Sequence, residues 1–121
     1  MNPALSLIAL LFIKHFIVDF PLQTKYQYLN KGTYLHPGGL LHAVLHGVGT
    51  FICVYWYAPL AALFLAWIDI IVHYPVDWAK VNINQKFQWG PTTHEQFWWL
   101  MGFDQLLHAL TYVVLVAMVV L

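Results

Sequence analysis

Eight of the residues in this chain that could bind metals or move protons share one spacing. They fall into four pairs of identical spacing: His15 and Asp19, His42 and His46, His73 and Asp77, Asp104 and His108. Residues i and i+4 share one face of an α-helix, so each pair presents two polar groups from one side of one helix. Every pair also lies within or beside a long apolar run, and ionisable groups at membrane depth are costly and mark functional sites. Eight such donors exceed the three or four ligands of a single zinc. They match a two-metal site built in the core of a helix bundle. Imidazole with some carboxylate suits two divalent ions, zinc first, with iron or manganese as the alternatives. A two-metal centre can activate a water and hold the attacking and leaving oxygens of a phosphoryl or acyl transfer. An Asp that does not ligate, Asp19 or Asp104, is the candidate general base.

Taken singly, each pair has a plainer reading. A membrane histidine commonly hydrogen-bonds a neighbouring helix, and an Asp four residues from a His can simply orient it. The shared depth of all four pairs favours one site, because buried charges need partners or metals. Asp69 extends the His73–Asp77 stripe by one turn and reads as a supporting residue or part of a proton path. Gln23 and Gln105 flank the stripes, placed to hydrogen-bond ligands or substrate. His36 and His94 fall in loops and read as solvated. Trp98 and Trp99 read as an interface anchor, Gly47 and Gly49 as close-packing positions, and Cys53 as a small buried hydrophobe. The chain has no Ser/His/Asp or nucleophile-elbow pattern, which disfavours metal-free acyl transfer.

The elements that must position these residues are membrane helices. The chain has 121 residues, enough for one domain, with 61% apolar and 8% charged residues. A soluble domain is about one quarter charged, so the expected class is an all-α integral membrane protein, a four-helix bundle in one domain over 1–121. All five basic residues are Lys and form no basic stripe, which argues against nucleic-acid binding. Helices are expected at about 3–20, 40–57, 60–78 and 93–121. Pro21 closes the first, and the apolar N-terminal run lacks a basic leader and reads as a retained helix. A polar loop over 22–39 contains a candidate interfacial segment at Tyr26–Leu29. Ala58 and Pro59 imply a tight hairpin with Pro59 in the next helix's first turn. Pro75 should kink the third helix. The stretch 80–91 reads as a second loop, and Thr92 with Glu95 as a capping box.

Lysines concentrate in the loops after the first and third helices, which puts those loops in the cytoplasm and both termini outside. All four pairs then lie in the cytoplasmic part of the bilayer, while the outer halves of the helices are apolar.

Four motifs together, His15-Phe16-Ile17-Val18-Asp19-Phe20-Pro21-Leu22-Gln23, the His42/His46 pair, His73 to Asp77, and Asp104-Gln105-Leu106-Leu107-His108, resemble a family of small bacterial and phage membrane proteins. That family is catalogued as domain of unknown function 3307. The resemblance covers nearly the whole chain. It implies a four-helix membrane protein of the bacterial inner membrane with these same candidate residues, and it brings no activity with it.

The expected function is metal-dependent hydrolysis of a lipid or phosphate-containing substrate reached from the bilayer at the cytoplasmic face. The alternatives are a di-iron lipid oxidoreductase, a metal or proton transporter, and a non-catalytic adaptor whose His/Asp network holds the bundle together. A chain this small is also a candidate for homo-oligomerisation.

Overall fold

Five α-helices make up the fold in a computed structural model that describes residues 2–121, and the described residues contain no strand. Helix α1 spans Pro3–Asp19, α2 Lys25–Tyr28, α3 Pro37–Tyr55, α4 Ala62–Phe87 and α5 Glu95–Val120. Helix α1 packs on α3 and α5, α4 packs on α3 and α5, and the short α2 rests on α3.

Helices α3, α4 and α5 are long and apolar enough to cross a membrane. Their outward faces carry Val48, Ile52, Leu63, Phe64, Trp67, Val113 and Val114, all exposed. Buried positions are instead occupied by Lys14, Asp19, His42, His46, Asp69, His73, Asp77, Asp104 and His108. Apolar residues outside and charges inside invert the arrangement of a water-soluble domain. These are the features of a membrane protein.

Local chemistry accounts for the helix ends. The Asn2 side chain accepts from Ala4 N at 2.8 Å, and Pro3 occupies the first turn of α1, where its missing N–H costs nothing. Helix α3 starts at Pro37, not near Leu40, because His36 acts as its cap: Gly38 N donates to His36 Nδ1 at 3.0 Å. Gly38 and Gly39 lie inside the helix, and a Cβ at Gly38 would run into the Tyr26 carbonyl of α2. The hairpin after α3 turns on Ala58 N donating to Val54 O at 2.8 Å. Pro59 sits in this turn, before α4 begins at Ala62.

Helix α4 departs most from expectation. It runs to Phe87, through most of the stretch read as a polar loop, and stops where Gln88 adopts the left-handed conformation with φ 55°. Lys80 to Phe87 contains no helix breaker; only its polarity changes. At 1.5 Å per residue the 26 residues of α4 reach roughly 39 Å, beyond a hydrocarbon core of about 30 Å. In its last turns Asn82 Nδ2 donates to Gly32 O at 3.0 Å. The Thr92–Glu95 capping box does not form: α5 starts at Glu95 with His94 at the cap position and no side-chain cap bond.

An apolar core occupies one half of the molecule, built from Leu7, Leu11, Val54, Leu65, Tyr112 and Leu115 with their neighbours. The polar residues fill the other half. Gly47 and Gly49 permit this packing differently: a Cβ at Gly47 would meet the Ile70 side chain and Ala66 O of α4, whereas one at Gly49 would meet the stem of Lys14.

Candidate metal centre

The pairs converge because each helix turns its polar stripe inward at the same level. Two carboxylates organise the result. Asp19, at the end of α1, has His15 Nε2 at 2.9 Å on Oδ2, and His42 Nε2 at 3.0 Å and His46 Nε2 at 2.7 Å on Oδ1. Asp77, on α4, has His73 Nε2 at 2.9 Å and His42 Nε2 at 3.4 Å on Oδ2, and His108 Nε2 at 3.2 Å on Oδ1. The His73 ring stacks between those of His46 and His108, with centroids 3.8 and 4.0 Å away.

Two groups have the proximity a metal ion requires. Asp19, His42, His46 and His73 each offer a ligand atom, and these atoms lie within 4.8 Å of one another; His73, Asp77 and His108 do the same. The groups share His73. His15 and Asp104 belong to neither group. His15 bonds Tyr112 and Gln105. Asp104 accepts from Lys80 Nζ at 3.1 Å and from Gln105 Nε2 at 2.9 Å, with His108 Nε2 3.3 Å from its other oxygen. Imidazole and carboxylate donors of this kind suit zinc, iron or manganese.

His42 is held in a particular tautomer. Gln27 Nε2 donates to Leu22 O at 3.0 Å, which turns Gln27 Oε1 toward His42 Nδ1, also at 3.0 Å. A carbonyl oxygen only accepts, so Nδ1 carries the proton and a neutral His42 presents a bare Nε2. That nitrogen is buried and makes no hydrogen bond, although Asp19 Oδ1 and Asp77 Oδ2 face it. The His42 nitrogen and one oxygen of each carboxylate thus converge.

The charges pair unequally. Asp69 is bonded by Lys14 at 3.0 Å, Asp77 by Lys31 at 3.2 Å and Asp104 by Lys80 at 3.1 Å. Among the described residues, Asp19 has histidines around it and no lysine. The carboxylate without a lysine partner therefore belongs to the four-residue group.

Asp69 is a supporting residue: it accepts from Lys14 and from Thr50 Oγ1 at 2.5 Å. Gln105 reaches His15 and Asp104. Gln23 instead donates to the Asp19 backbone carbonyl at 2.6 Å. His36 is half-buried as a helix cap, while His94 is exposed. Lys14, Gln27, Lys31, Thr50, Lys80 and Tyr112 belong to the site and were not foreseen as members. Thr50 and Tyr112 carried a usable signal, since each lies four residues beyond a motif histidine, His46 or His108, on the same helical face.

The sequence pattern of a family described as "Protein of unknown function (DUF3307)" matches residues 7–121. No curated protein and no solved structure matches the chain.

Proposed function

We propose a function from the site itself, since the chain belongs to the DUF3307 family, whose description names no activity: a membrane-embedded, metal-dependent hydrolase acting on a lipid or phosphate-containing substrate. The observation that carries it is the buried His42 Nε2, which makes no hydrogen bond although Asp19 Oδ1 lies 3.0 Å away. An unprotonated nitrogen and a carboxylate oxygen this close in a dry interior repel; a divalent cation bound by both turns repulsion into ligation. The absence of a lysine on Asp19 supports a first ion drawing its ligands from Asp19, His42, His46 and His73. A second ion at Asp77 and His108 would displace Lys31 from Asp77 and would compete for His73, whose neutral ring has one lone pair.

A groove of about 240 Å³ between α4 and α5 supports a substrate that enters from the bilayer. Pro75, Val76, Ile83, Phe103 and Leu107 line it, and Lys80 and Asp104 also lie on its wall. The apolar lining suits an acyl chain, and the Lys80 ammonium suits a phosphate. Asp104, beside the groove and outside both ligand groups, serves as general base, with Asp19 in that role if it does not ligate.

In this reading α1, α3, α4 and α5 form a four-helix bundle in a bacterial inner membrane. The site lies toward the cytoplasmic side, where Lys25, Lys31, Lys80 and Lys86 collect, and both termini lie outside.

The test is hydrolysis of phospholipids and lipid phosphate esters in mixed micelles by metal-stripped and metal-reloaded protein. Release of headgroup or phosphate only by reloaded protein supports the reading. Stoichiometric metal without hydrolysis of any ester removes the hydrolase and leaves a metal site, of which a di-iron oxidoreductase is the next reading.

A further inference from the structure

Lys14 is 6% exposed and lies well inside α1. Its Nζ is 3.0 Å from Asp69 Oδ2, 3.1 Å from His46 Nδ1 and 3.0 Å from Tyr112 Oη. An ammonium has three protons and no lone pair. Three acceptors use all three, so each of these partners must present a lone pair to Lys14.

For His46 this decides the ring. Nδ1 accepts from Lys14, so Nε2 carries the proton and donates to Asp19 Oδ1 at 2.7 Å. For His15 the effect passes through Tyr112. The Tyr112 oxygen accepts from Lys14, and its own proton goes to His15 Nδ1 at 2.7 Å. His15 Nε2–H then donates to Gln105 Oε1 at 2.9 Å, with Asp19 Oδ2 equally close. The orientation of Gln105 agrees independently: its Nε2 donates to Asp104, leaving the carbonyl oxygen for His15.

We propose that Lys14 is a positioning residue that fixes the protons of His46 and, through Tyr112, of His15 on Nε2, so that both histidines act as N–H donors around Asp19 and neither ligates the metal. The ligand part of this statement rests on the metal reading above; the proton part does not. A metal on His46 Nε2 would require a proton on Nδ1, pointed at an ammonium. His42, set the opposite way by Gln27, ligates. Removing His46 from the four-residue group leaves Asp19, His42 and His73. Three protein donors with a fourth position open to water is the pattern of a catalytic zinc, and four closed donors that of a structural one. Lys14 thereby selects a site that can do chemistry.

The experiment is 15N NMR of histidine-labelled protein in lipid nanodiscs, before and after zinc addition. Protonated and bare ring nitrogens resonate far apart, and His15→Gln and His46→Gln assign the signals. The expected result is a bare Nδ1 and protonated Nε2 for both residues, with and without zinc. Tyr112→Phe should release His15 alone. Lys14→Met paired with Asp69→Asn, which leaves no unpartnered buried charge, should release both. His46→Gln, which retains an N–H for Asp19, should keep zinc, whereas His42→Gln should lose it. A zinc-bound His46 Nε2, or a His46 ring unchanged on removal of Lys14, overturns the proposal. Absence of zinc uptake removes the metal reading and leaves the proton assignment to be decided by the metal-free spectra.

Discussion

His42 Nε2 and Asp19 Oδ1 stand 3.0 Å apart without a hydrogen bond between them. On the far side of the ring Nδ1 faces the Gln27 carbonyl oxygen at 3.0 Å, which takes the one ring proton of a neutral imidazole. A glutamine on the four-residue helix α2 thus sets the lone pair of a histidine on α3. Gln27 should therefore control metal affinity without touching the metal. Gln27→Ala is expected to weaken zinc binding by about 10–100-fold, the usual effect of losing a partner that orients a ligand. Competition with a chromogenic chelator measures it; unchanged affinity would mean that His42 does not ligate through Nε2.

The Lys14–Asp69 pair is buried on both sides. Removing one partner strands a charge in a dry interior, which costs about 3–5 kcal/mol. Lys14→Met alone should destabilise the protein by that order. Adding Asp69→Asn should recover much of it, because the amide still meets Thr50 Oγ1. Thermal unfolding in one detergent compares the three proteins. Equal stability of the single and double variants would show that the pair carries no coupling.

Two glycines give opposite expectations. A Cβ at Gly47 would meet Ile70 and lie 3.3 Å from Ala66 O, whereas one at Gly102 meets nothing within 4 Å. Gly47→Ala should cost about 1–3 kcal/mol through overpacking of α3 against α4. Gly102→Ala should be neutral or stabilise by up to about 1 kcal/mol, since glycine in a helix interior carries an entropic penalty. Reversal of this order in thermal unfolding would contradict the α3–α4 packing.

Filling the α4–α5 groove should separate substrate entry from metal binding. Ala79 lines that groove. Ala79→Trp is expected to abolish turnover of long-chain substrates with metal content unchanged. Lys80→Gln should raise KM for phosphate-bearing substrates. Normal turnover by Ala79→Trp would place substrate entry elsewhere.

The i, i+4 pairs were legible because helix geometry is local: the spacing of His73 and Asp77 states that they share a face, wherever the helix sits. Their shared depth led to one cluster; six of the eight fall in the two groups at metal-binding distance, and His15 and Asp104 border them. The extent of α4 was not legible. Polarity from Lys80 onward looked like a loop, but hydropathy reports where the apolar layer stops, whereas a helix stops where the backbone conformation changes, here at Gln88. The place of Lys14 in the cluster was not legible either. Its stem reaches the interior across Gly49, a contact between residues 35 positions apart that no local pattern encodes. Gln27 was hidden for the same reason, since only tertiary folding brings α2 against His42.

The most direct test of the central claim is the metal content of the intact protein. It should be purified in detergent without added metal or a His-tag and measured by elemental mass spectrometry beside His42→Ala and His36→Ala. The account expects at least one zinc, iron or manganese per chain in the wild type and in His36→Ala, whose histidine caps α3 away from the cluster, and loss of that metal in His42→Ala. Folded wild-type protein carrying only trace metal, at the same level as His42→Ala, would contradict it and leave the His/Asp cluster as a hydrogen-bond network that holds the helices together.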